Sequence, residues 1–138
     1  MYRILRQPVY NFVLIIKIYT IMREKIEKRK HFINCNIAGF MYWDGCLVFN
    51  KLHVGTKLKL VRVADNRYDA VAVAIYLGDS KLGYIPRCHN EVISQFLDMG
   101  YYNIFEARIN RICSDAHPES QVHINIYITQ NKYHGTNN

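Results

Sequence analysis

The chain has no Cys-x-x-Cys pair, no internal repeat and no apolar run of membrane-spanning length, and its body from Phe32 onward carries almost no net charge. Each absence removes a class of protein. The four cysteines, Cys35, Cys46, Cys88 and Cys113, are scattered, and no small-residue cleavage site follows the apolar stretch near the N-terminus. Free thiols in a reducing, cytoplasmic compartment are therefore the simplest reading. A zinc set built from Cys88, His89, Cys113 and His117 has spacings that match no common ligand pattern, so no metal and no cofactor is expected. Neither a Ser-His nor a Cys-His signature is legible, and the chain is read as a non-enzyme. A nuclease holding Mg²⁺ on Asp65, Asp69 and a third carboxylate is the weakest of the functional readings.

Residues 9–22 are apolar but shorter than the roughly 20 residues that cross a bilayer, and Lys17 interrupts them. Leu5, Val9, Phe12, Val13 and Ile16 fall at helical spacing, while the β-branched content argues equally for a strand. Residues 1–31 are thus an extension with three open readings: an extra core element, a weak membrane-surface anchor, or an over-extended start with the true N-terminus at Met22. No membrane partner is expected.

That extension holds most of the positive charge. Of the +7 formal net charge, residues 1–31 contribute eight Lys/Arg against Glu24 and Glu27, and residues 32–138 contribute ten against nine acidic residues. A nearly neutral body cannot bind nucleic acid as a broad basic surface held by counterion release. What survives is a compact pocket with a few charges.

At 138 residues with half of them hydrophobic and eleven tyrosines, the chain suits one globular domain. Phe32–Ala38 alternates apolar and polar residues as a half-buried strand does. Gly39-Phe-Met-Tyr-Trp-Asp-Gly45 is a glycine-bracketed turn region, Leu47–Phe49 reads as a short extended piece, and Val54-Gly55 begins the next strand. Leu82–Ile85 is a short strand ended by Pro86. Residues 90–99 form the principal helix, with Val92, Ile93, Phe96 and Leu97 on one face and Gly100 as its cap. Asn103–Cys113 and Val122–Thr129 alternate as strands joined by the loop 114–121, and 131–138 is a polar tail. The fold class is mainly β: a small OB-like, partly open barrel with one principal helix.

Between the strand-like runs Lys57–Val63 and Val71–Leu77 lies Asp65-Asn66-Arg67-Tyr68-Asp69, with neither glycine nor proline. An ordinary hairpin turn uses Asn-Gly or Asp-Gly and stays short. A rigid two-strand base carrying carboxylates, an amide, a guanidinium and a phenol is where recognition groups collect.

The order of four blocks is informative: Ile37-Ala-Gly-Phe-Met-Tyr-Trp-Asp-Gly45, Gly55-x-x-Leu-x-Leu-Val-Arg62, Asp65-Asn-Arg-Tyr-Asp69 with Ala72-Val73, and Leu82-Gly-Tyr-Ile-Pro-Arg87. Together, over residues 32–130, they resemble the HIRAN domain, found at the N-terminus of SWI/SNF-type fork-remodelling ATPases and as stand-alone bacterial proteins. The resemblance implies an OB-like barrel that grips the 3′ end of single-stranded DNA, in DNA repair or stalled-fork processing, with any helicase or nuclease supplied in trans. It implies a pocket of Tyr42, Asn66, Tyr68 and Asp69. Asp69 would accept a hydrogen bond from the terminal 3′-hydroxyl and repel a 3′-phosphate. Tyr42 and Tyr68 would stack on bases, and Asn66 would brace the loop and donate to the terminal nucleotide. Arg87 would meet a backbone phosphate, with Tyr84 as a further lining residue. Two positions depart from the pattern. Met41 replaces a basic residue of the eukaryotic members, and Arg67 replaces the usual Pro, either restoring that charge or standing in solvent.

Plainer readings stand beside these. Asn66 and Asp69 both form turns readily, Trp43 reads as a core aromatic, and Gly83–Pro86 as a mere edge strand. A protein-interaction barrel without a nucleic-acid role also fits the near-neutral body.

Overall fold

The computed structural model describes residues 2–130. The chain forms two units, one ending at Lys30 and the other beginning at His31. In the first, helix α1 (Tyr2–Glu27) settles the helix-or-strand ambiguity in favour of the helical spacing, and Thr20 Oγ1 donates to the carbonyl of Ile16 one turn back. Among the described residues no helix is long and apolar enough to cross a membrane, which says nothing about strands.

The second unit carries most of strand β1 (Arg29–Asn36) and the strands β2 (Lys57–Arg62), β3 (Val73–Leu77), β4 (Ser80–Tyr84), β5 (Phe105–Ile112) and β6 (Val122–Thr129), with helix α2 (Arg87–Asp98) between β4 and β5. They make one antiparallel sheet in the order β1-β6-β5-β2-β3-β4. The alternation in β6 works as its sequence suggests. Val122, Ile124 and Ile126 point inward, while His123, Asn125 and Tyr127 take the other face. Ile128, near the end of the strand, is exposed. The inward residues meet Ile75, Leu82, Ile93 and Ile109 in a single core.

The sheet curls but does not close. Its two edges touch at one point, where Ala38, just past β1, exchanges two backbone hydrogen bonds of 2.9 Å with Tyr84 at the end of β4. This seam brings the glycine-bracketed turn after β1 against the end of β4.

Several boundaries differ from the sequence reading. Helix α2 starts at Arg87, three residues before the expected Asn90, because the backbone of Pro86 (φ −55°) suits a helix start and its carbonyl receives His89 N and Asn90 N. Its buried face is Asn90, Ile93, Ser94 and Leu97, leaving Val92 and Phe96 on the exposed side. Gly100 does follow the helix, in the left-handed conformation at φ +87°. Helix α2 is the principal helix of this mainly β unit, as expected, and α1 in the first unit is a second α-helix among the described residues. Leu47–Phe49 is not extended. Leu47 N and Val48 N both bond to Asp44 O, and a 3₁₀ turn follows at Phe49–Lys51. Residues 53–56 turn, with Thr56 N bonding His53 O, so β2 starts at Lys57 and not at Val54.

Cys35 points into the core, and burial, with a smaller push from neighbouring Cys88, raises its thiol to about 12. Cys46 is exposed. At neutral pH an alkylating reagent is expected to label Cys46 readily and Cys35 only on unfolding, which mass spectrometry of peptides labelled with and without urea will show.

Candidate nucleic-acid interface

β2 and β3 pair from Lys59–Tyr76 to Arg62–Val73, and the polar knot bridges their ends. Its shape comes from side chains standing in for the missing glycine. Asn66 Oδ1 accepts from Tyr68 N at 2.9 Å and Asp69 N at 3.1 Å, and Asp69 Oδ1 accepts from Val71 N at 3.0 Å. The remaining Asp69 oxygen accepts from the amide of Asn90 at 2.6 Å. That ties the knot to α2 through a side chain that is 1 % exposed. The turn-forming roles of Asn66 and Asp69 are therefore real, and they fix where the second carboxylate oxygen stands.

Arg62, which sequence reasoning left as part of a strand, staples the knot from below. Its guanidinium donates to the carbonyls of Val63 and Ala72 at 3.2 and 3.0 Å and pairs with Asp98 at 2.8 Å. The signal for it was weak: an arginine following an apolar run, opposite a loop rich in free carbonyls. Arg87, on the first turn of α2, donates to Tyr68 O at 3.0 Å and stands 3.9 Å from the Asp69 carboxylate.

A cavity of about 470 Å³ opens between the knot, the seam and the start of α2. Five of the expected site residues besides Asp69 line it: Asn66, Arg67, Tyr68, Tyr84 and Arg87. Tyr68 is 86 % exposed, so its ring is available for stacking and contributes nothing to the core. Tyr42 is exposed on the 3₁₀ turn Phe40–Tyr42 and is not among the lining residues.

Its neighbour Trp43 is. The expectation that Trp43 is a core aromatic is corrected here: it is 41 % exposed and forms a wall of the cavity. The Gly39 turn ahead of it, in the left-handed conformation, carries the indole out of the core and edge-on to Tyr84, with ring centroids 5.9 Å apart. Lys81, on β4, was also missed. Its ammonium lies 3.7 Å from the centre of the Trp43 ring and donates to Tyr84 Oη at 2.6 Å. Asn66 Nδ2 reaches the same Oη at 3.4 Å. A cation is therefore held beside the aromatic wall, in a chain that has Met41 where a basic residue was expected.

Among the described residues no three His, Cys, Asp or Glu side chains converge where a metal ion would sit. The cavity combines three aromatic rings, one semi-buried carboxylate and cations at the rim, the composition expected of a binding cleft. Set on a curled antiparallel sheet, it defines an OB-like binding module.

Residues 30–130 match the model of the HIRAN domain, and the chain belongs to that family. HIRAN domains are DNA-binding modules rather than catalytic ones. Two solved structures share the fold. A protein from Lactobacillus plantarum is 22 % identical over 75 % of this chain and 97 % of its own, with a TM-score of 0.62. The HIRAN domain of human HLTF is 12 % identical over 75 % of this chain and 83 % of its own, with a TM-score of 0.51. No curated protein matches the chain.

Proposed function

We propose that this protein is a single-stranded DNA-binding module that takes the 3′-hydroxyl end of a strand into the cavity beneath the knot, in the cytoplasm, during DNA repair or stalled-fork processing. A helicase or nuclease acting on that end is then supplied by another chain. The observation that carries the reading is the placement of Asp69. Its carboxylate lines the cavity and is oriented by Val71 N and the Asn90 amide, yet an ionised carboxylate has about four acceptor sites in all. It keeps capacity for a hydroxyl donor that only a chain end offers.

The walls fit the rest of a terminal nucleotide. Tyr68, Trp43 and Tyr84 present ring surface to a base, which is sequence-tolerant because every base has a π-face. Tyr42 stands close enough along the chain to meet the next base. Asn66 keeps its amide toward the cavity side at Tyr84, and Arg67, Arg87 and Lys81 offer positive charge to backbone phosphates. The free cysteines agree with a reducing compartment.

Fluorescence anisotropy with oligonucleotides labelled at the 5′ end, carrying either a 3′-hydroxyl or a 3′-phosphate, tests this. The hydroxyl form is expected to bind at least about tenfold more tightly, since a buried like-charge contact costs several kcal/mol. Tyr68→Ala should weaken both forms by about five- to a hundredfold, the loss of one stacked base. Equal affinity for the two ends would overturn the reading. Absence of any binding at low salt would turn it toward protein interaction.

A further inference from the structure

A second and larger cavity, of about 820 Å³, opens where β2 parts from β5. Those strands pair only at Lys57–Arg108 and Leu58–Ala107. From Lys59 to Arg62, β2 is paired with β3 alone. Past Leu58 the ladder to β5 stops although both strands continue, and the wedge between β2, the end of α2 and residues 102–105 is open to solvent.

The chemistry of this wedge is uneven. Lys57 and Lys59, two residues apart on β2, project to the same side of the sheet, and Tyr76 lies directly across from Lys59. Both lysines are exposed, and neither ammonium group has a hydrogen-bond or ion-pair partner among the described residues. Arg62, by contrast, is neutralised by Asp98 and spent on backbone carbonyls. Tyr102, which is 67 % exposed, and Phe105 form the opposite wall. No Asp or Glu lines the cavity. In a body with a balance near neutrality, two uncompensated ammonium groups beside aromatic rings are a local concentration of what a single strand requires: point charges for phosphates and flat surfaces for bases.

The two cavities are contiguous along the chain. Arg62 lines the second and the next residue, Val63, lines the first. The Arg62 guanidinium also bonds the carbonyls of Val63 and Ala72, both lining residues of the first cavity.

We propose that this wedge is a second nucleic-acid contact, which holds an internal stretch of the same strand whose end occupies the first cavity. Phosphates lie on Lys57 and Lys59, and bases lie against Tyr102 and Tyr76. The proposal rests on the strand-end reading of the first cavity but assigns different residues and a different measurable property. The first cavity selects the end. The second makes affinity depend on the length of strand behind it and adds two phosphate contacts to the salt sensitivity of the complex.

The experiment uses the full chain and 5′-labelled oligothymidylates with 3′-hydroxyl ends, one of about four nucleotides and one of about twelve, lengths that bracket the site sizes of OB folds. The native protein is expected to bind the longer strand at least about tenfold more tightly at low salt. Lys57→Ala/Lys59→Ala should abolish that gain. It should also flatten the slope of log affinity against log salt for the longer strand by about 1.4, from about 0.7 for each phosphate left unneutralised. Affinity for the short strand and the preference for hydroxyl over phosphate ends should be unchanged. Tyr102→Ala should likewise reduce only the length-dependent gain. Both lysines are exposed, so the double variant should keep the native melting curve, and Lys57→Gln/Lys59→Gln provides a second version that removes the charge but keeps most of the side chain.

Two results overturn the proposal while leaving the strand-end site standing: equal native affinity for both lengths, or a double variant that weakens both lengths alike. If no oligonucleotide binds, both readings fall together.

Discussion

Asp69→Ala is expected to bind 3′-hydroxyl oligonucleotides about ten- to a hundredfold more weakly than the native protein, and to lose its discrimination against 3′-phosphate ends. The first effect follows from the strength of a hydrogen bond to an ionised acceptor, about 1.5–3 kcal/mol. The second follows from removing the only carboxylate that is semi-buried in the cavity, with a side-chain exposure of 18 %. Asp65, the other acidic lining residue, is exposed and is screened by water and salt.

A structural effect accompanies the chemical one. Truncation leaves the Asn90 amide, which is buried in α2, without its 2.6 Å partner, and releases Val71 N. An orphaned buried donor costs about 1–3 kcal/mol, so the variant should also be less stable to urea. The ratio of affinities for the two ends separates the effects. A loosened knot weakens binding to both ends in parallel and leaves the ratio intact. Removal of the charge raises the relative affinity for the phosphate form toward unity or beyond. An unchanged preference in a folded Asp69→Ala protein would show that Asp69 shapes the loop and does not meet the strand end.

Local and long-range interactions were not equally legible in the sequence. Alternation and turn chemistry are local, so β6, the β2–β3 pair and the knot between them could be placed from residue order alone. The four ordered blocks pointed to the family because most of them occupy turns or strand ends where geometry restricts the residue. What the sequence hid was long-range. Nothing in Arg62 announces that its guanidinium will reach across ten residues to Ala72 O and on to Asp98. Trp43 read as core because large aromatics usually are. Only its packing against Tyr84 and the ammonium of Lys81, both from the distant strand β4, reveal that it stands at the cavity wall. The start of α2 was misread for a local reason: Pro86 ends a strand and begins a helix with the same φ, and a strand-ending proline masks the second function. The second cavity was invisible because it is made by the absence of pairing beyond Leu58, and unpaired partners leave no mark on residue patterns.

The largest effect on stability is expected at Gly83. A Cβ added there would lie 2.4 Å from the carbonyl oxygen of Ala38 and 2.7 Å from Ile37 Cγ2, in a backbone held at φ +150°. The obstructing atom is backbone, so no rotamer change relieves the contact. It belongs to the residue that joins the two edges of the sheet, through Ala38 N to Tyr84 O and Tyr84 N to Ala38 O. Gly83→Ala must therefore strain φ, at about 1–3 kcal/mol, and open the seam, losing two hydrogen bonds of about 0.5–1.5 kcal/mol each. A loss of about 2–6 kcal/mol is a large part of the 5–15 kcal/mol typical of a domain, and the shift in urea midpoint will measure it. Gly78→Ala is the control. Gly78 is also left-handed, at φ +58°, but nothing lies within 4 Å of its added Cβ, so only the conformational strain of about 1 kcal/mol remains. Similar midpoints for the two variants would mean that the seam contributes little to the fold. The functional consequence separates the seam from stability at large. Ala38, Gly39, Tyr84 and Ile85 all line the first cavity and lie at the seam or beside it, whereas no residue of the second cavity does. In the fraction of Gly83→Ala that is folded, end discrimination should therefore fall while the gain from strand length persists. The contact that joins the two edges of the sheet is also the one that shapes the first cavity.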